Sequence, residues 1–539
     1  MFVAALLWRL LTFSGFNNDH YAHLALAQQM LSGDRPVRDF LDPGWPLTYL
    51  LSAAAWRAAG DAMVVEWTIT ATAFAFGAAF TVVAAHRLSG SIAIAVLVAL
   101  FEVLIYPRTY AYPKILAYAA FAAVITASGV PARRRLVTLG LLVAGAFLLR
   151  HDHGVWLGFA SLVYLALASW GEGVRAVLQR GAIVAGVALA VLLPWLLYLA
   201  LSGGVIPYFE TAIEYARSEA NASMLDAWPW FGMGADADAW LFWLFWSLPL
   251  ASAALVAHRW RRGDERWPGE LAAVVAFVVL AAGLNAGFLR DVLRTRLPDA
   301  SVPAAILGAW LLGEAWIRAR PARRLAPRLV QLAAAVLVAV SAVAMSQVAE
   351  LPERFERSNI GSGPAAVYDR YLQVSRLLSL PHRQDEAPPS RFAAILMPFF
   401  AYLDRCTDVT ERLIVTGASP DIVVLAGRPF AGDGVTFGQW YSSAANQPRT
   451  LERLRARRAL FVIVLDDEGF RQRFPVIAGY VQEEYQAFTE ARDDAVSLPI
   501  LVERRRVPQG VDAETQWPCF RQAGRGSDPR SGTPGIMGD

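Results

Sequence analysis

The sequence predicts an α-helical polytopic membrane protein with a separate α/β domain at its C-terminal end, outside the membrane. Of the 539 residues, 56% are hydrophobic and only 18% are charged, and the mean hydropathy is +0.37. This composition is not typical of a soluble globular protein. Apolar stretches recur up to about residue 348 and then stop. The net charge of +3, without a long basic run, gives no indication of a nucleic-acid partner.

About eleven apolar segments are predicted to cross the membrane, because each approaches the length needed to span about 30 Å of hydrocarbon. They lie near residues 2–15, 62–85, 90–105, 115–130, 136–149, 154–169, 181–202, 239–257, 270–288, 301–317 and 328–348. A twelfth apolar segment, 46–59, is short and contains Arg57 near its end. We expect this segment to lie in the membrane interface. No small-residue cleavage site follows the first segment, so we interpret it as a span and not as a cleaved signal peptide.

Arginine distribution predicts the orientation. With segment 46–59 in the interface, five loops on one side contain 15 Arg in about 45 residues, whereas the loops of the other side contain 10 Lys or Arg in about 109 residues. The Arg-dense side is therefore cytoplasmic by the positive-inside rule. If segment 46–59 crossed, the Arg-dense loops would lie outside. We expect a bacterial cytoplasmic (inner) membrane protein whose C-terminal domain is periplasmic.

Composition divides the chain into a transmembrane domain (1–348), an α/β domain (349–522) and a disordered tail (523–539). The middle region has three strand-like runs, LIVTG (413–417), DIVVLAG (421–427) and ALFVIVL (459–465). Helix-like runs at 450–458 and 474–488 lie between and after them, and this alternation predicts an α/β domain.

The two cysteines, Cys406 and Cys519, are too few for a disulfide scaffold and lack metal-ligand spacing. In an oxidising periplasm they are predicted to form one disulfide. Two unpaired thiols are the alternative.

Four segments at the outer ends of the spans contain polar residues, which are costly near lipid and persist mainly where they have a function. These segments are 15–46, 106–114, 150–153 and 288–300. The second contains Lys114, the only Lys among 49 basic side chains, which suggests a position that requires an ammonium group. The candidate site residues are Asp19, His20, His23, Asp39, Arg108, Tyr110, Tyr112, Lys114, Arg150, Asp152, Arg290, Arg294 and Arg296.

Each candidate also has a purely structural interpretation. Asp19 could cap the helix that follows it, and His20 and His23 could face neighbouring side chains. Segment 150–153 could be an ion pair that stabilises a tight turn. The three Arg near residue 290 could bind lipid headgroups without specificity, and the tyrosines could belong to an aromatic belt. Taken together, a carboxylate, a Tyr-rich loop with the only Lys and an outer Arg cluster are typical of a site for an anionic lipid phosphate.

The run NNDHYAHLALAQQMLSGDRPVRDFLDPGWPLTYLLSA (17–53) resembles the first outer loop of GT-C-class integral-membrane glycosyltransferases. This class includes the protein O-mannosyltransferases and the lipid A aminoarabinose transferases. In it an Asp follows the first span, an amphipathic juxtamembrane helix comes next, and a Pro-containing segment opens the next apolar stretch. The resemblance covers about residues 1–348, whereas the C-terminal domain fits the same layout but contains no motif that we can assign.

The resemblance implies transfer of a sugar from a polyprenyl-phosphate donor to a cell-envelope glycan, lipid or protein, on the outer face of the membrane. Asp19 matches the catalytic Asp of the first loop and is the expected general base. The expected phosphate ligands are Lys114, Arg108, Arg290, Arg294 and Arg296. The expected substrate contacts are His20, His23, Asp39, Tyr110, Tyr112, Arg150 and Asp152. A single displacement predicts inversion at the anomeric carbon.

Many relatives have a second acidic residue in the next outer loop, but segment 106–114 has none. This departure argues against a two-carboxylate or metal-bridged site, so we expect no cofactor. A divalent metal is not expected, although the sequence does not exclude one.

Two other functions fit the same topology. A lipid-linked-sugar flippase or transporter would also have many spans and phosphate-binding Arg, but it would need polar residues inside the spans and repeat symmetry. Neither is clear in the sequence. A non-catalytic, envelope-binding membrane protein would tolerate the loss of Asp19.

Overall fold

The computed structural model describes residues 1–129, 132–222, 236–262, 269–289, 296–318, 325–381 and 388–521. These residues form two compact units. The first contains residues 1–27 and 35–381, and the second contains residues 28–34 and 388–521. The predicted tail, 523–539, lies outside the described residues.

The first unit is helical. Its helices, α1 to α16 in chain order, are Phe2–Leu11, Asn18–Leu31, Pro46–Ala59, Met63–Ser89, Ile92–Leu104, Tyr112–Ile125, Ala132–Leu149, His151–Ala168, Val174–Ser202, Val205–Ala222, Ala237–Arg261, Gly269–Ala286, Ser301–Gly313, Leu325–Val348, Leu351–Ser358 and Pro364–Ser379. The last four residues of α2 belong to the second unit.

Every segment predicted to cross the membrane overlaps one of these helices. Among the described residues, five helices are long and apolar enough to span a membrane: α4, α9, α11, α12 and the Arg328–Val348 part of α14. The protein is therefore a multi-pass membrane protein. The total of about eleven crossings stays a prediction. The short segment predicted to lie in the interface forms α3, which begins at Pro46 and ends before Gly60 at φ +86°.

Large side chains that are fully buried fix the packing of the central helices. Tyr118 and Phe121 on α6, Phe277 on α12 and Trp310 on α13 belong to one core cluster. Such a cluster buries apolar area between helices and holds their outer ends in fixed positions. The core thus provides a rigid base for the loops that emerge from it.

The compositional boundary predicted at residue 349 does not coincide with the boundary between the units. Helices α15 and α16 belong to the first unit, because α16 packs on α1 and α4. The Nε of Arg370 on α16 donates a hydrogen bond to the Leu11 carbonyl oxygen, 2.9 Å away, at the end of α1. These helices follow the last apolar stretch and are polar. Composition alone therefore does not indicate what they pack against.

The second unit combines helices and strands, in agreement with the α/β prediction. Its helices, α17 to α21, are Arg391–Cys406, Pro420–Leu425, Asn446–Arg457, Asp467–Arg473 and Pro475–Glu484, and its strands, β1 to β6, are Leu413–Val415, Phe461–Ile463, Tyr485–Arg492, Ser497–Glu503, Gly510–Val511 and Pro518–Cys519. The sheet order is β1-β2-β4-β3, with β1 and β2 parallel and the other pairs antiparallel. Strands β5 and β6 pair separately.

Two predictions in this region need correction. The run 421–427, predicted as a strand, lies mostly in helix α18, with Pro420 in its first turn and Ile422 to Leu425 buried. A short apolar run buried on all sides does not distinguish strand from helix by periodicity, whereas Pro in the first turn favours a helix. The run 474–488, predicted as helical, changes from α21 to β3 at Tyr485.

Two covalent or ionic links hold the second unit together. Cys406 and Cys519 form a disulfide, with Cα atoms 4.6 Å apart, which is the pairing that the sequence predicts. Asp34 is almost completely buried and pairs with two guanidinium groups. Arg412 donates to both carboxylate oxygens at 2.9 Å, and Arg457 lies 2.7 Å away. Residues 28–34 are thereby fastened to the rest of this unit.

Candidate active site

Arg108 joins two carboxylates from distant parts of the chain. Its Nη1 lies 3.1 Å from an oxygen of Asp19, in the first turn of α2. Its backbone N, Nε and Nη2 donate to Asp299 at 3.1, 3.1 and 2.7 Å. The Asp19 side chain is 55% exposed, whereas that of Asp299 is 2% exposed. One carboxylate is therefore open to a ligand, and the other supports the arginine from inside.

The charge state of Arg108 follows from this environment. Burial acts to lower the pKa of Arg108, but Asp299, Tyr110 and Asp19 together more than offset this effect, and the pKa lies above its usual range. A permanently charged guanidinium in a fork geometry is suited to hold two carboxylates at once.

Lys114 lies beside the same buried carboxylate. Its Nζ is 3.5 Å from an Asp299 oxygen, and it occupies the first turn of α6. The Tyr110 ring lies under Arg108, with its centroid 4.4 Å from the guanidinium carbon and 5.9 Å from the Lys114 Nζ. Such cation–π contacts hold a cation in place without neutralising its charge.

Arg150 and Asp152 form an ion pair at the tight turn between α7 and α8, with Arg150 Nε 2.9 Å from a carboxylate oxygen. The turn is compact because Gly154 lies against α7, and a Cβ there would be 2.4 Å from the Cα of Phe147. The charges of Arg150 and Asp152 both act on Lys114. Segment 150–153 therefore contains the ion pair expected for a tight turn. Its charges act on Lys114, which contacts Asp299 in the cluster formed by Asp19, Arg108, Lys114 and Asp299.

Four predicted substrate contacts are not on the open side of this cluster. His20 is fully buried, and its Nε2 lies 3.0 Å from Glu66, which also accepts a hydrogen bond from Ser52 at 3.1 Å. His23 is buried against the edge of Trp45, with ring centroids 4.5 Å apart. His20 therefore supports the first turns of α2 from inside, because a polar group next to the core is retained when it finds a partner, and His23 adds ring contacts there.

Tyr112 and Asp39 are also placed differently from the prediction. Tyr112 is 2% exposed within the helical core. Asp39 is buried and accepts a hydrogen bond from the backbone N of Arg35 at 2.9 Å, while Arg38 lies 3.4 Å away. Asp39 therefore organises its own loop, and neither residue faces the cluster around Arg108 as an open ligand.

The sequence missed Asp299, and this changes one prediction. A two-carboxylate arrangement was not expected because segment 106–114 has no acidic residue, but the second carboxylate comes from segment 288–300. The signal was present in LPDA (297–300), an acidic residue at the outer start of an apolar helix. The carbonyl of Arg296 accepts a hydrogen bond from the Asp299 backbone N at 3.1 Å. Arg290 and Arg294 lie outside the described residues.

No family model and no curated protein matches the chain. Solved structures do match. One is the archaeal oligosaccharyltransferase AglB from Archaeoglobus fulgidus in complex with an inhibitory peptide and a dolichol-phosphate, at 12% identity and a TM-score of 0.48, covering 94% of this chain and 74% of that one. Another is ArnT from Cupriavidus metallidurans bound to undecaprenyl phosphate, at 14% identity and a TM-score of 0.47, covering 93% of this chain and 97% of that one. Both likenesses extend over most of the length of this chain.

Proposed function

We propose that this protein is a membrane glycosyltransferase that moves a sugar from a polyprenyl-phosphate donor to a hydroxyl of a cell-envelope glycan, lipid or protein. The observation that supports this proposal best is the half-exposed Asp19 carboxylate, which contacts Arg108 at the end of apolar helices, where Arg108 shares the buried Asp299 with Lys114. A base next to cations at such a position suits a reaction between a hydroxyl and a lipid-linked phosphate ester.

Asp19 is the proposed general base. It accepts the proton of the acceptor hydroxyl while the hydroxyl oxygen forms a bond to the anomeric carbon. The bond from that carbon to the phosphate oxygen breaks, and its electron pair stays on the leaving polyprenyl phosphate. One displacement of this kind inverts the anomeric centre. Among the described residues, Arg108 contacts one oxygen of Asp19, and we assign the other oxygen to the hydroxyl.

The leaving phosphate gains negative charge, and fixed cations stabilise it best where water is scarce. We assign this role first to Lys114. Its contact with Asp299 is a long 3.5 Å, so its ammonium group has donors left for a phosphate. Arg150 and Arg108 add positive charge to the same neighbourhood, and Arg290, Arg294 and Arg296 remain proposed phosphate ligands.

Asp299 takes a supporting role in this proposal. It is buried, and every contact it makes with Arg108 and Lys114 holds a cation in place.

We further propose that the site needs no metal ion and faces the periplasm, on the side of the membrane opposite to the Arg-dense loops.

The decisive experiment compares Asp19→Asn with the unchanged protein in lipid nanodiscs. Radiolabelled polyprenyl-phosphate sugars are supplied together with envelope membranes as acceptor. Asparagine keeps an oxygen for Arg108 but is not a base, so transfer falls by about 10²- to 10⁴-fold while binding of the donor persists. Asp494→Asn, at an exposed carboxylate of the second unit, is the matched control and transfers as the unchanged protein does. Undiminished incorporation by Asp19→Asn would remove Asp19 from the mechanism and favour a flippase or a binding protein.

A further inference from the structure

A second polar arrangement lies on the first unit, apart from the contacts of Arg108. Asp42 is 2% exposed and accepts hydrogen bonds from the backbone N of Gly44 at 2.8 Å and of Trp45 at 3.1 Å. Its other oxygen accepts a hydrogen bond from the Tyr208 hydroxyl at 2.8 Å. The same hydroxyl lies 3.3 Å from Nε2 of His151. Asp42, Tyr208 and His151 therefore form one hydrogen-bonded chain.

The donor and acceptor of each hydrogen bond in this series can be assigned by starting from Asp42, its buried end. Burial raises the pKa of Asp42, and its hydrogen bonds from Tyr208 and from two backbone N–H groups act against this effect. All three of those partners donate, so the carboxylate is an acceptor throughout. The Tyr208 hydrogen is then committed to Asp42, and its oxygen must accept from His151. His151 consequently has its proton on Nε2 and a lone pair on Nδ1.

Gly44 approaches the imidazole closely on the side of Nδ1. A Cβ at Gly44 would lie 2.9 Å from Nδ1 of His151, and Gly44 has φ +95°, which favours glycine. The imidazole is held from both sides, since its backbone N donates to the Gly44 carbonyl at 3.0 Å and its ring stacks on Phe147 at 4.3 Å. Within the described part of the chain, the side-chain hydrogen bond of His151 is the one between Nε2 and Tyr208.

The surroundings of His151 are aromatic. Besides Phe147, the rings of Phe209 and Tyr208 lie 5.8 and 5.6 Å from the imidazole, and Trp195 lies 6.3 Å from Tyr208. His151, Phe147, Phe209 and Trp195 are all partly exposed. Partly exposed aromatic rings with a small number of fixed polar groups are typical of a small-molecule site.

Residues next to this hydrogen-bonded series connect it to the candidate active site. His151 follows Arg150 directly, and Trp45 follows Gly44 and contacts His23. The His23 ring in turn contacts Tyr110, at 5.9 Å between centroids, and Tyr110 lies under Arg108. The charge of Arg150, the residue before His151, also acts on Lys114.

We propose that His151 belongs to a sugar-binding subsite, in which Nδ1 accepts a hydrogen bond from a sugar hydroxyl and the aromatic rings contact the apolar face of the sugar. The chemistry selects a neutral donor group. Nδ1 offers a lone pair and no proton, and the carboxylate behind Tyr208 disfavours an anion at this position. This inference rests on the proposed transfer of a sugar, and it names the residue that orients the sugar. His151 is a binding residue here, whereas Tyr208 and Asp42 are positioning residues that fix its tautomer.

Two substitutions of His151 separate binding from structure. In His151→Gln the side-chain amide nitrogen takes the place of Nε2, so the hydrogen bond to Tyr208 is kept and the acceptor at Nδ1 is lost. In His151→Asn the amide takes the place of Nδ1, so an acceptor is kept and the contact with Tyr208 is lost. The probes are methyl α- and β-glycosides of common hexoses and pentoses, and binding is measured by saturation-transfer NMR on the full chain in nanodiscs.

We expect at least one glycoside to bind the unchanged protein and the control Asp494→Asn equally well. His151→Gln should weaken that binding by about 3- to 10-fold, the range for one lost hydrogen bond, with an unchanged melting temperature. His151→Asn should bind more tightly than His151→Gln although it melts at a lower temperature, a pattern that a purely structural role would not produce. Displacement of the glycoside by a polyprenyl-phosphate sugar would assign the subsite to the donor sugar, and continued binding would assign it to the acceptor.

The subsite is overturned if no glycoside binds the unchanged protein, or if His151→Gln binds as the unchanged protein does. Its failure is distinguishable from failure of the proposed function. Sugar transfer with normal glycoside binding by His151→Gln would reject the subsite alone. Glycoside binding that depends on His151, without any sugar transfer, would reject the transferase and keep the subsite.

Discussion

Arg108 and Asp299 are linked by three hydrogen bonds, which come from the backbone N, the Nε and the Nη2 of the arginine. The two residues are 191 positions apart in the chain. This pairing fixes the loop before α6 to the start of α13, and it sets the position from which Arg108 reaches Asp19.

Asp299→Asn should therefore affect both stability and transfer. Removal of the charge leaves a largely buried guanidinium whose remaining carboxylate partner, among the described residues, is the exposed Asp19. Breaking a buried pair in this way costs about 3–5 kcal/mol. We expect a lower melting temperature and a lower rate of sugar transfer, with the same preference among donor sugars as in the unchanged protein. Asp493→Asn, which removes the partner of the exposed Arg391, is the control and should melt almost as the unchanged protein does. Equal melting of Asp299→Asn and the control would contradict the supporting role of Asp299.

Replacement of Lys114 tests whether the site requires an ammonium group. Lys114→Gln removes the cation proposed to stabilise the leaving phosphate, and we expect the rate of transfer to fall by about 10²- to 10³-fold. Lys114→Arg keeps the charge but replaces a compact donor group with a planar one, so partial activity is expected. Single-turnover rates with radiolabelled donor measure both effects. Full activity of Lys114→Gln would exclude Lys114 from phosphate stabilisation.

Chelation tests the proposal that transfer is independent of metal. The guanidinium of Arg108 lies between the carboxylates of Asp19 and Asp299 and takes up oxygens that a divalent ion would need. We expect transfer in EDTA at the rate measured without it. In the control, Mg²⁺ or Mn²⁺ is added back after chelation. If EDTA abolishes transfer and either ion restores it, the site uses a metal.

The disulfide between Cys406 and Cys519 should contribute strongly to the stability of the second unit. It closes a loop with a sequence separation of 113, and a cross-link over about 100 residues is expected to stabilise by about 4–5 kcal/mol in the chain-entropy model. Reduction, or the double substitution Cys406→Ser with Cys519→Ser, should lower the temperature at which this unit melts. Mass spectrometry after alkylation, with and without reduction, checks the bond itself. Alkylation of both thiols without prior reduction would show that they are free.

The helices of the membrane part were predictable from apolar length, because backbone groups in lipid must be satisfied within the segment. Each predicted span overlaps a helix for this reason. The run at 421–427 shows where the same signal fails, since a short apolar segment buried on all sides fits strand and helix equally. The placement of α15 and α16 was not predictable either, because it depends on which surface they pack against.

The exposed half of the candidate site was also predictable, whereas its buried half was not. Asp19, Arg108 and Lys114 were found because charged residues at the ends of apolar spans are unusual. Asp299 was missed because its partner is distant in the chain. His20 was predicted to face the substrate but faces Glu66 instead, since the sequence shows that a histidine follows a span but not which side of the helix faces the core.

The attachment of residues 28–34 to the second unit has a practical consequence for protein engineering. A fragment that begins at residue 388 would lack Asp34 and leave Arg412 and Arg457 without their shared counter-ion. Recombinant production of this unit should therefore include the heptapeptide QQMLSGD, fused through a linker or added as a synthetic peptide. In the second format, complementation by the peptide would itself report whether the excised domain has reached its native state.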